Sequence, residues 1–153
     1  VVNIQGDELN FSLSLINKMV DLLKKNSKYD VVTSIYKSPT PQSYKDPNNV
    51  KVILNNKKEA VLFTRSPVPY KSFEESYIHI GIYAYRVSII KKYISLKKCY
   101  YESVEKLEQL RFVYNSVPIK CILVKNNRSY SINSKRDLNI ARRNIKWISI
   151  QLL

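Results

Sequence analysis

The order in which two hydrophobic periodicities alternate along the chain is the feature that most restricts its fold. Alternation at every second residue predicts strands, and apolar residues at helical spacing predict amphipathic helices. Strand-like runs lie at residues 1–4, 29–36, 50–54, 60–64, 79–86 and 119–124, and helical spacing at 15–23, 102–114 and 138–148. The order strand, helix, strand, hairpin, strand, helix, strand, helix predicts an α/β layered domain with a mixed sheet.

Two segments have more specific expectations. Residues 38–49 are rich in Ser, Pro, Gln and Asp, which predicts a loop without regular structure. A single helix is predicted over 102–114, with Glu102 and Lys106 spaced for an ion pair one turn apart. The apolar stripe of this helix would consist of Val104, Leu107 and Leu110. A chain of 153 residues suffices for one domain, so we expect a single domain over 1–153.

The basic charge balance has two explanations. The chain carries 26 Lys+Arg against 12 Asp+Glu, a net charge of +14. A surface that binds nucleic-acid phosphates is one explanation. The other is a base-biased genome, because Lys, Asn, Ile and Tyr have AT-rich codons and together make up 62 of the 153 residues. The lysines occur as scattered pairs rather than as one block, which favours the compositional explanation and predicts no nucleic-acid partner.

The small numbers of Cys, His and Gly residues argue against several kinds of site. Cys99 and Cys121 lack CxxC spacing and His79 is the only histidine, so a His/Cys zinc site cannot be assembled. We expect both thiols to be buried in a cytoplasmic protein. No GxSxG-like turn supports a Ser/His/Asp hydrolase. No apolar run approaches the roughly 20 residues that cross a bilayer, which predicts no membrane association.

A polar turn, Gln5–Glu8, directly follows the first strand, which we expect to be buried on both faces. Ligands of α/β sheets gather at the carboxyl ends of strands. Asp7 is therefore a candidate Mg²⁺ ligand, and Gly6 would let the backbone approach a bound phosphate or sugar. An ordinary turn with an exposed aspartate is the alternative.

Five stretches, taken in chain order, carry a stronger signal than any one of them: VVNIQGDE, VKVIL, FTRSPVPY, HIGIYAYR and EKLEQLR. With them the chain, from Val1 to about Arg142, resembles the 3-deoxy-manno-octulosonate (Kdo) cytidylyltransferases. The resemblance implies an enzyme of lipopolysaccharide biosynthesis that transfers CMP from CTP to Kdo and releases pyrophosphate. It also implies a cytoplasmic homodimer with the three-layer α/β/α, Rossmann-like fold of nucleotide-diphospho-sugar transferases and a mixed sheet.

The resemblance further implies roles for individual residues. Asp7 would be a catalytic residue that binds the Mg²⁺ bridging the CTP phosphates, and Asn133 occupies the position of the family's second metal aspartate. The residues that would line the Kdo pocket are Gln5, Arg65, His79, Tyr83, Glu108 and Gln109. Arg65 suits the carboxylate of the sugar acid, whereas Tyr, Gln and Glu side chains offer hydrogen bonds to its hydroxyls.

Two departures from the family pattern affect these expectations. Asn133 offers an oxygen but no negative charge to Mg²⁺, so metal affinity should fall. The family's N-terminal strand and its basic, Gly-containing loop, which holds the CTP phosphates, have no counterpart in this sequence. We therefore expect the N-terminal part of the fold to be missing, and these residues to be the C-terminal portion of a cytidylyltransferase domain without catalysis on their own.

Two other interpretations remain open from the sequence. A basic nucleic-acid-binding module would show an affinity that falls steeply with salt. A decayed, non-catalytic remnant of a cytidylyltransferase would keep the fold and lose the activity, and Asn133 fits that interpretation.

Overall fold

A computed structural model describes residues 1–9, 11–125, 130–132 and 135–144. The strands are β1 (Val2–Ile4), β2 (Glu8–Leu9), β3 (Val31–Lys37), β4 (Lys51–Leu54), β5 (Ala60–Thr64), β6 (Tyr77–Tyr85), β7 (Ile119–Leu123) and β8 (Tyr130–Ser131). The helices are α1 (Leu13–Lys25), α2 (Pro41–Lys45), α3 (Val87–Tyr93), α4 (Tyr100–Glu105), α5 (Leu110–Tyr114) and α6 (Lys135–Asn144). Among the residues described, no helix is long and apolar enough to cross a membrane.

β6 is the central strand of the main sheet, whose order is β5-β4-β6-β3-β7. β3 lies along one edge of β6, and β1 and β4 lie end to end along the other. β3 and β7 are parallel, whereas the other pairs are antiparallel, so the predicted mixed sheet is confirmed. The predicted hairpin is also confirmed, because β4 and β5 pair antiparallel.

Helices cover both faces of this sheet, and each face has its own core. α1 buries three apolar residues one or two turns apart against one face: Leu15, Met19 and Leu23. The opposite face packs against residues of α3, α5 and the segment between α4 and α5, among them Ile89, Leu107, Leu110 and Phe112. Cys99 and Cys121 are buried and free on that side, as expected. The α/β fold with helices on both sides of a mixed sheet is therefore confirmed.

The prediction of a loop over residues 38–49 was wrong, because α2 lies within it. Thr40 caps this helix, its Oγ1 accepting a hydrogen bond from the Ser43 backbone N–H at 3.1 Å. Pro41 occupies the first turn, where its missing N–H costs no helical hydrogen bond. The Thr40–Pro41 pair is typical of a helix start, but the prediction followed the loop-like composition of the segment instead.

The prediction of one helix over 102–114 was also wrong. Lys106 adopts a left-handed conformation with φ of 55°, which ends α4 before α5 begins. Glu102 pairs with Arg111 rather than with Lys106, and Arg111 Nε lies 2.9 Å from Glu102 Oε2. The two leucines of the predicted apolar stripe are buried, and its valine is exposed. A buried pair across the break therefore prevails over the local pair.

β1 is not buried on both faces as expected. Val2 and Ile4 are only partly buried and Asn3 is exposed, because β6 is the only described strand that pairs with β1. Neither α3 nor the two-residue strands β2 and β8, which pair with each other, were predicted from the sequence.

Candidate functional site

A polar cavity of about 610 Å³ opens where β1 ends and β4 begins on the same edge of β6. The Gln5–Glu8 turn forms one wall, the segment from α2 to β4 forms another, and residues 78–81 of β6 line it between them. Five predicted site residues line this cavity: Gln5, Asp7, Arg65, His79 and Gln109. The structure thus brings together residues that are up to 104 positions apart in the sequence.

A second, more apolar cavity of about 380 Å³ adjoins the first. Tyr83 and Glu108 line it, and Gln5 and Gln109 line both cavities. Tyr83 is buried, and burial raises its pKa well above the usual value. Glu108 is exposed, so it lies at the rim rather than in the interior.

Glu8 connects its turn to β6 and to β8, and this role was not predicted from the sequence. Its Oε1 accepts hydrogen bonds from the Gly81 backbone N–H at 2.8 Å and from Ser131 Oγ at 2.6 Å. Glu8 is 6% exposed, and its Oε2 has no hydrogen-bond partner among the described residues. The turn after the first strand contains two acidic residues, Asp7 and Glu8, and only Asp7 was singled out as a candidate ligand.

The Gln5 and Glu8 side chains lie close against Gly81 of β6. A Cβ atom on Gly81 would lie 2.1 Å from Gln5 Oε1 and 3.0 Å from Glu8 Oε1. The Gln5 backbone N–H also donates to the Gly81 carbonyl oxygen at 3.0 Å. Glycine at this position therefore lets the Gln5 side chain lie against the strand at the edge of the cavity.

β6 carries a bulge beside the cavity. Thr33 of β3 pairs with Tyr83, but Ser34 pairs with Ile80, so Gly81 and Ile82 have no ladder partners on β3. Thr33 Oγ1 lies 2.9 Å from the Ile82 carbonyl oxygen, to which it donates a hydrogen bond. Bulges next to functional sites commonly redirect side chains. The Thr33 hydroxyl thus provides a hydrogen-bond donor to the carbonyl oxygen of Ile82, a residue without a ladder partner on β3.

His79 lies next to this bulge and remains neutral. As a residue it is partly exposed, but its ring is enclosed by Phe63, Tyr83 and Thr33. Burial of the ring lowers the pKa of His79 to about 3. A weakly basic imidazole is a poor proton acceptor in catalysis but a competent hydrogen-bonding group. His79 is therefore suited to recognise a ligand rather than to remove its proton.

Arg65 is held by Glu105, the first residue of the EKLEQLR stretch. The Glu105 carboxylate accepts hydrogen bonds from Thr64 Oγ1 and the Arg65 backbone N–H, both at 2.8 Å. The Arg65 guanidinium donates from Nε to the Glu105 carbonyl oxygen and from Nη1 to the Pro47 carbonyl oxygen. Nη2 makes no hydrogen bond to a described residue, so it is available to an anionic ligand.

A buried lysine supports the same wall of the cavity. Lys51 is fully buried, and its Nζ donates to the carbonyl oxygens of Asp46 and Asn49. Burial lowers the pKa of Lys51 to about 8. Because the turn it holds includes Pro47, whose carbonyl oxygen accepts from Arg65, Lys51 helps to fix the guanidinium indirectly.

The Glu102–Arg111 pair fixes the segment that carries Glu108 and Gln109. Arg111 binds the Glu102 carboxylate through Nε and Nη2, and its guanidinium lies 4.1 Å from the centroid of the Tyr93 ring. The Tyr93 hydroxyl donates to the Glu108 carbonyl oxygen at 3.3 Å. The two helices that flank the segment between α4 and α5 are therefore paired with each other, and Tyr93 of α3 contacts the segment at Glu108.

The metal prediction rests on Asp7 and Asn133, and Asn133 lies outside the described residues. The Ile132 backbone N–H donates to the Asp7 carbonyl oxygen at 3.0 Å, so the chain just before Asn133 lies beside Asp7. Among the described residues, no group of three His, Cys, Asp or Glu side chains could hold a metal ion. Mg²⁺ commonly binds through one or two carboxylates together with substrate phosphates and water, and Asp7 fits that mode.

Comparisons with known proteins agree on one family. The cytidylyltransferase family model matches residues 1–122. The 3-deoxy-manno-octulosonate cytidylyltransferase of Elusimicrobium minutum is 39% identical, over 95% of this chain and 62% of that protein. The enzyme of the same name from Rickettsia prowazekii is 37% identical, over 97% of this chain and 59% of that protein.

A solved structure agrees with these comparisons. The structure of CMP:2-keto-3-deoxy-manno-octonic acid synthetase complexed with CTP matches with a TM-score of 0.82 at 28% identity, covering 93% of this chain and 59% of that one. The chain therefore spans about three fifths of the length of the proteins it matches, 62% and 59% for the two curated relatives.

Proposed function

This chain belongs to the cytidylyltransferase family, and we propose that it forms the sugar-acid-binding part of an enzyme that transfers CMP from CTP to Kdo. The names of the curated relatives support Kdo as the acceptor, and the CTP complex of a structural relative supports CTP as the donor. A cytoplasmic homodimer acting in lipopolysaccharide biosynthesis is the corresponding biological setting, and it stays a prediction from the family resemblance.

The observation that carries this proposal is the orientation of Arg65 within the polar cavity. Three of its contacts are to backbone groups or to Glu105, which leaves Nη2 for a ligand oxygen. Gln5, His79 and Gln109 line the same cavity and provide neutral hydrogen-bonding groups. The cavity lining also carries Lys106 and four acidic residues: Asp7, Glu8, Asp46 and Asp137. A fixed guanidinium together with neutral hydrogen-bonding groups can receive a molecule with one carboxylate and several hydroxyls, which describes a sugar acid.

In the proposed reaction, the anomeric hydroxyl of Kdo attacks the α-phosphorus of CTP, and the bond to the leaving pyrophosphate breaks. Arg65 would hold the sugar carboxylate, and Gln5, His79 and Gln109 would orient the hydroxyls, so that the anomeric oxygen faces the nucleotide. Asp7, with Asn133 as the second proposed ligand, would hold Mg²⁺, which supplies charge compensation for the triphosphate when bound. His79 would not act as the general base, because its pKa is lowered to about 3.

The first test measures Kdo binding to the 153-residue chain by isothermal titration calorimetry. Arg65→Ala should weaken binding at least about tenfold, because a charge-assisted hydrogen bond is worth about 1.5–3 kcal/mol. Arg142→Ala is the matched control, since Arg142 is exposed and does not line the cavity. Absence of Kdo binding by the native chain, or equal affinities of native and Arg65→Ala proteins, would refute the proposal.

A second test concerns the metal. Asn133→Asp adds a negative charge at a proposed ligand position and should raise Mg²⁺ affinity about tenfold. Asp7→Asn should lower Mg²⁺ affinity, and both changes can be followed by titration calorimetry with Mg²⁺ alone. If neither substitution alters Mg²⁺ affinity, the assignment of these two residues as metal ligands is wrong.

A further inference from the structure

The hydrogen-bond donors and acceptors around Thr33 determine where the proton of His79 lies. Thr33 is fully buried on β3, and its Oγ1 lies 2.9 Å from His79 Nε2 and 2.9 Å from the Ile82 carbonyl oxygen. The Ile80 carbonyl oxygen lies 3.5 Å from the same hydroxyl oxygen. A hydroxyl has one hydrogen, and carbonyl oxygens only accept.

Only one arrangement satisfies all of these groups. If the Thr33 hydroxyl donated to His79, its oxygen would face the Ile82 carbonyl oxygen at 2.9 Å with no hydrogen between them. When it donates to Ile82 instead, His79 must be the donor, and Nε2 carries the proton. A neutral imidazole has one N–H, so Nδ1 is then an acceptor.

We propose that Thr33 is a positioning residue that holds His79 in the Nε2–H tautomer, so that Nδ1 accepts a hydrogen bond from a ligand hydroxyl in the cavity. Nδ1 has no hydrogen-bond partner among the described residues, and His79 lines the cavity. The identification of that hydroxyl with one of Kdo rests on the proposed function.

This arrangement would give the cavity two groups of different selectivity, Arg65 and His79. Arg65 donates hydrogen bonds and attracts a carboxylate, whereas an acceptor nitrogen on His79 repels carboxylate and phosphate oxygens and accepts only from a donor. A sugar acid therefore binds with its carboxylate towards Arg65 and a hydroxyl towards His79, and the reversed orientation is disfavoured by both residues.

The first part of the test uses the ligand-free chain and nitrogen-15 NMR. His79 is the only histidine, so selective labelling gives the two ring-nitrogen signals of one residue. The native protein should show protonated Nε2 and unprotonated Nδ1 at pH 7. Thr33→Ser keeps the hydroxyl and should show the same tautomer, whereas Thr33→Val should show a mixture or the Nδ1–H form. Thr33→Ala replaces Thr33→Val if thermal melting shows that the valine variant is unfolded.

A native spectrum with protonated Nδ1 would overturn the proposal without reference to any variant. It would equally be overturned if removal of the Thr33 hydroxyl left the Nε2–H tautomer fully populated.

The second part measures Kdo binding. Thr33→Val should raise the Kd about tenfold, the effect of losing or mis-orienting one hydrogen bond to a buried partner, and Thr33→Ser should stay within about twofold. Unchanged Kdo affinity in Thr33→Val would refute the role of Nδ1 as the hydroxyl acceptor. If the native chain binds no Kdo, the proposed function fails, and the NMR result alone decides the role of Thr33.

Discussion

Replacement of Glu8 by alanine measures how strongly the Gln5–Glu8 turn is tied to the rest of the fold. In the native protein one carboxylate oxygen accepts hydrogen bonds from the Gly81 backbone N–H and from Ser131 Oγ. These bonds connect residues 73 and 123 positions apart in the chain. Alanine removes both bonds and leaves the buried Gly81 N–H without an acceptor.

The expected cost follows from these contacts. Two hydrogen bonds to a charged oxygen contribute about 1.5–3 kcal/mol each. Removal of Glu8 also removes the burial cost of Oε2, which has no partner among the described residues and offsets the loss by about 1–2 kcal/mol. We therefore expect Glu8→Ala to lower the free energy of unfolding by about 3 kcal/mol. For a domain of this size that corresponds to a decrease in Tm of about 6–12 °C.

Urea denaturation of three variants tests this estimate. Ser131→Ala removes one of the two bonds at a partly exposed residue and should cost about 1 kcal/mol. Glu8→Gln keeps an oxygen for both donors and should fall between the two. A loss below about 0.5 kcal/mol for Glu8→Ala, or equal losses for Glu8→Ala and Ser131→Ala, would show that Glu8 does not connect these segments.

Three further predictions concern the cavity. Gly81→Ala places a Cβ atom 2.1 Å from Gln5 Oε1, so titration calorimetry should show Kdo binding weakened about tenfold with little change in Tm; an unchanged Kd would contradict this. The pKa of His79 is about 3 in the folded state, below the ordinary 6.5, so the unfolded chain binds more protons between these values. In urea denaturation, His79 should contribute up to about 1.4 kcal/mol per pH unit to the fall in unfolding free energy as pH decreases through that interval. His79→Gln should remove this contribution and leave the slope from carboxylates such as Glu59 and Glu102, whose pKa values are lowered in the folded state; an unchanged slope would contradict the prediction. Glu105→Ala removes the acceptor of the Arg65 backbone N–H and should weaken Kdo binding about tenfold in the same calorimetric assay, whereas equal affinity would show that Arg65 is positioned without it.

Local patterns predicted the elements whose stability depends on local packing. The hairpin of β4 and β5 follows from two apolar runs around a polar turn, and α1 follows from one apolar stripe. The prediction of one helix over 102–114 was wrong because the sequence offers two acceptable partners for Glu102, Lys106 and Arg111. The choice between Lys106 and Arg111 depends on burial, which no local pattern contains.

The site was predictable to the extent that it follows known motifs. The family resemblance indicated five residues that the structure places around one cavity. Glu8, Thr33 and Glu105 were missed because each acts through hydrogen bonds to a segment far away in the sequence. Their residue types are ordinary for a turn, a strand and a helix end, so the sequence alone gives them no functional signal. The metal role of Asn133 stays a prediction.

The bulge in β6 makes the length of this strand a constraint separate from its composition. Deletion of Gly81 alone would reverse the inward and outward alternation of the residues on one side of it, because side chains alternate with a period of two. Deletion of both Gly81 and Ile82 would restore an even ladder with β3 and preserve the alternation. It would also remove the carbonyl oxygen that engages the Thr33 hydroxyl. A strand shortened in this way would therefore lose the hydrogen bond through which we propose that Thr33 selects the tautomer of the only histidine, and would also lose the pairing of Ile82 with Ile4 of β1.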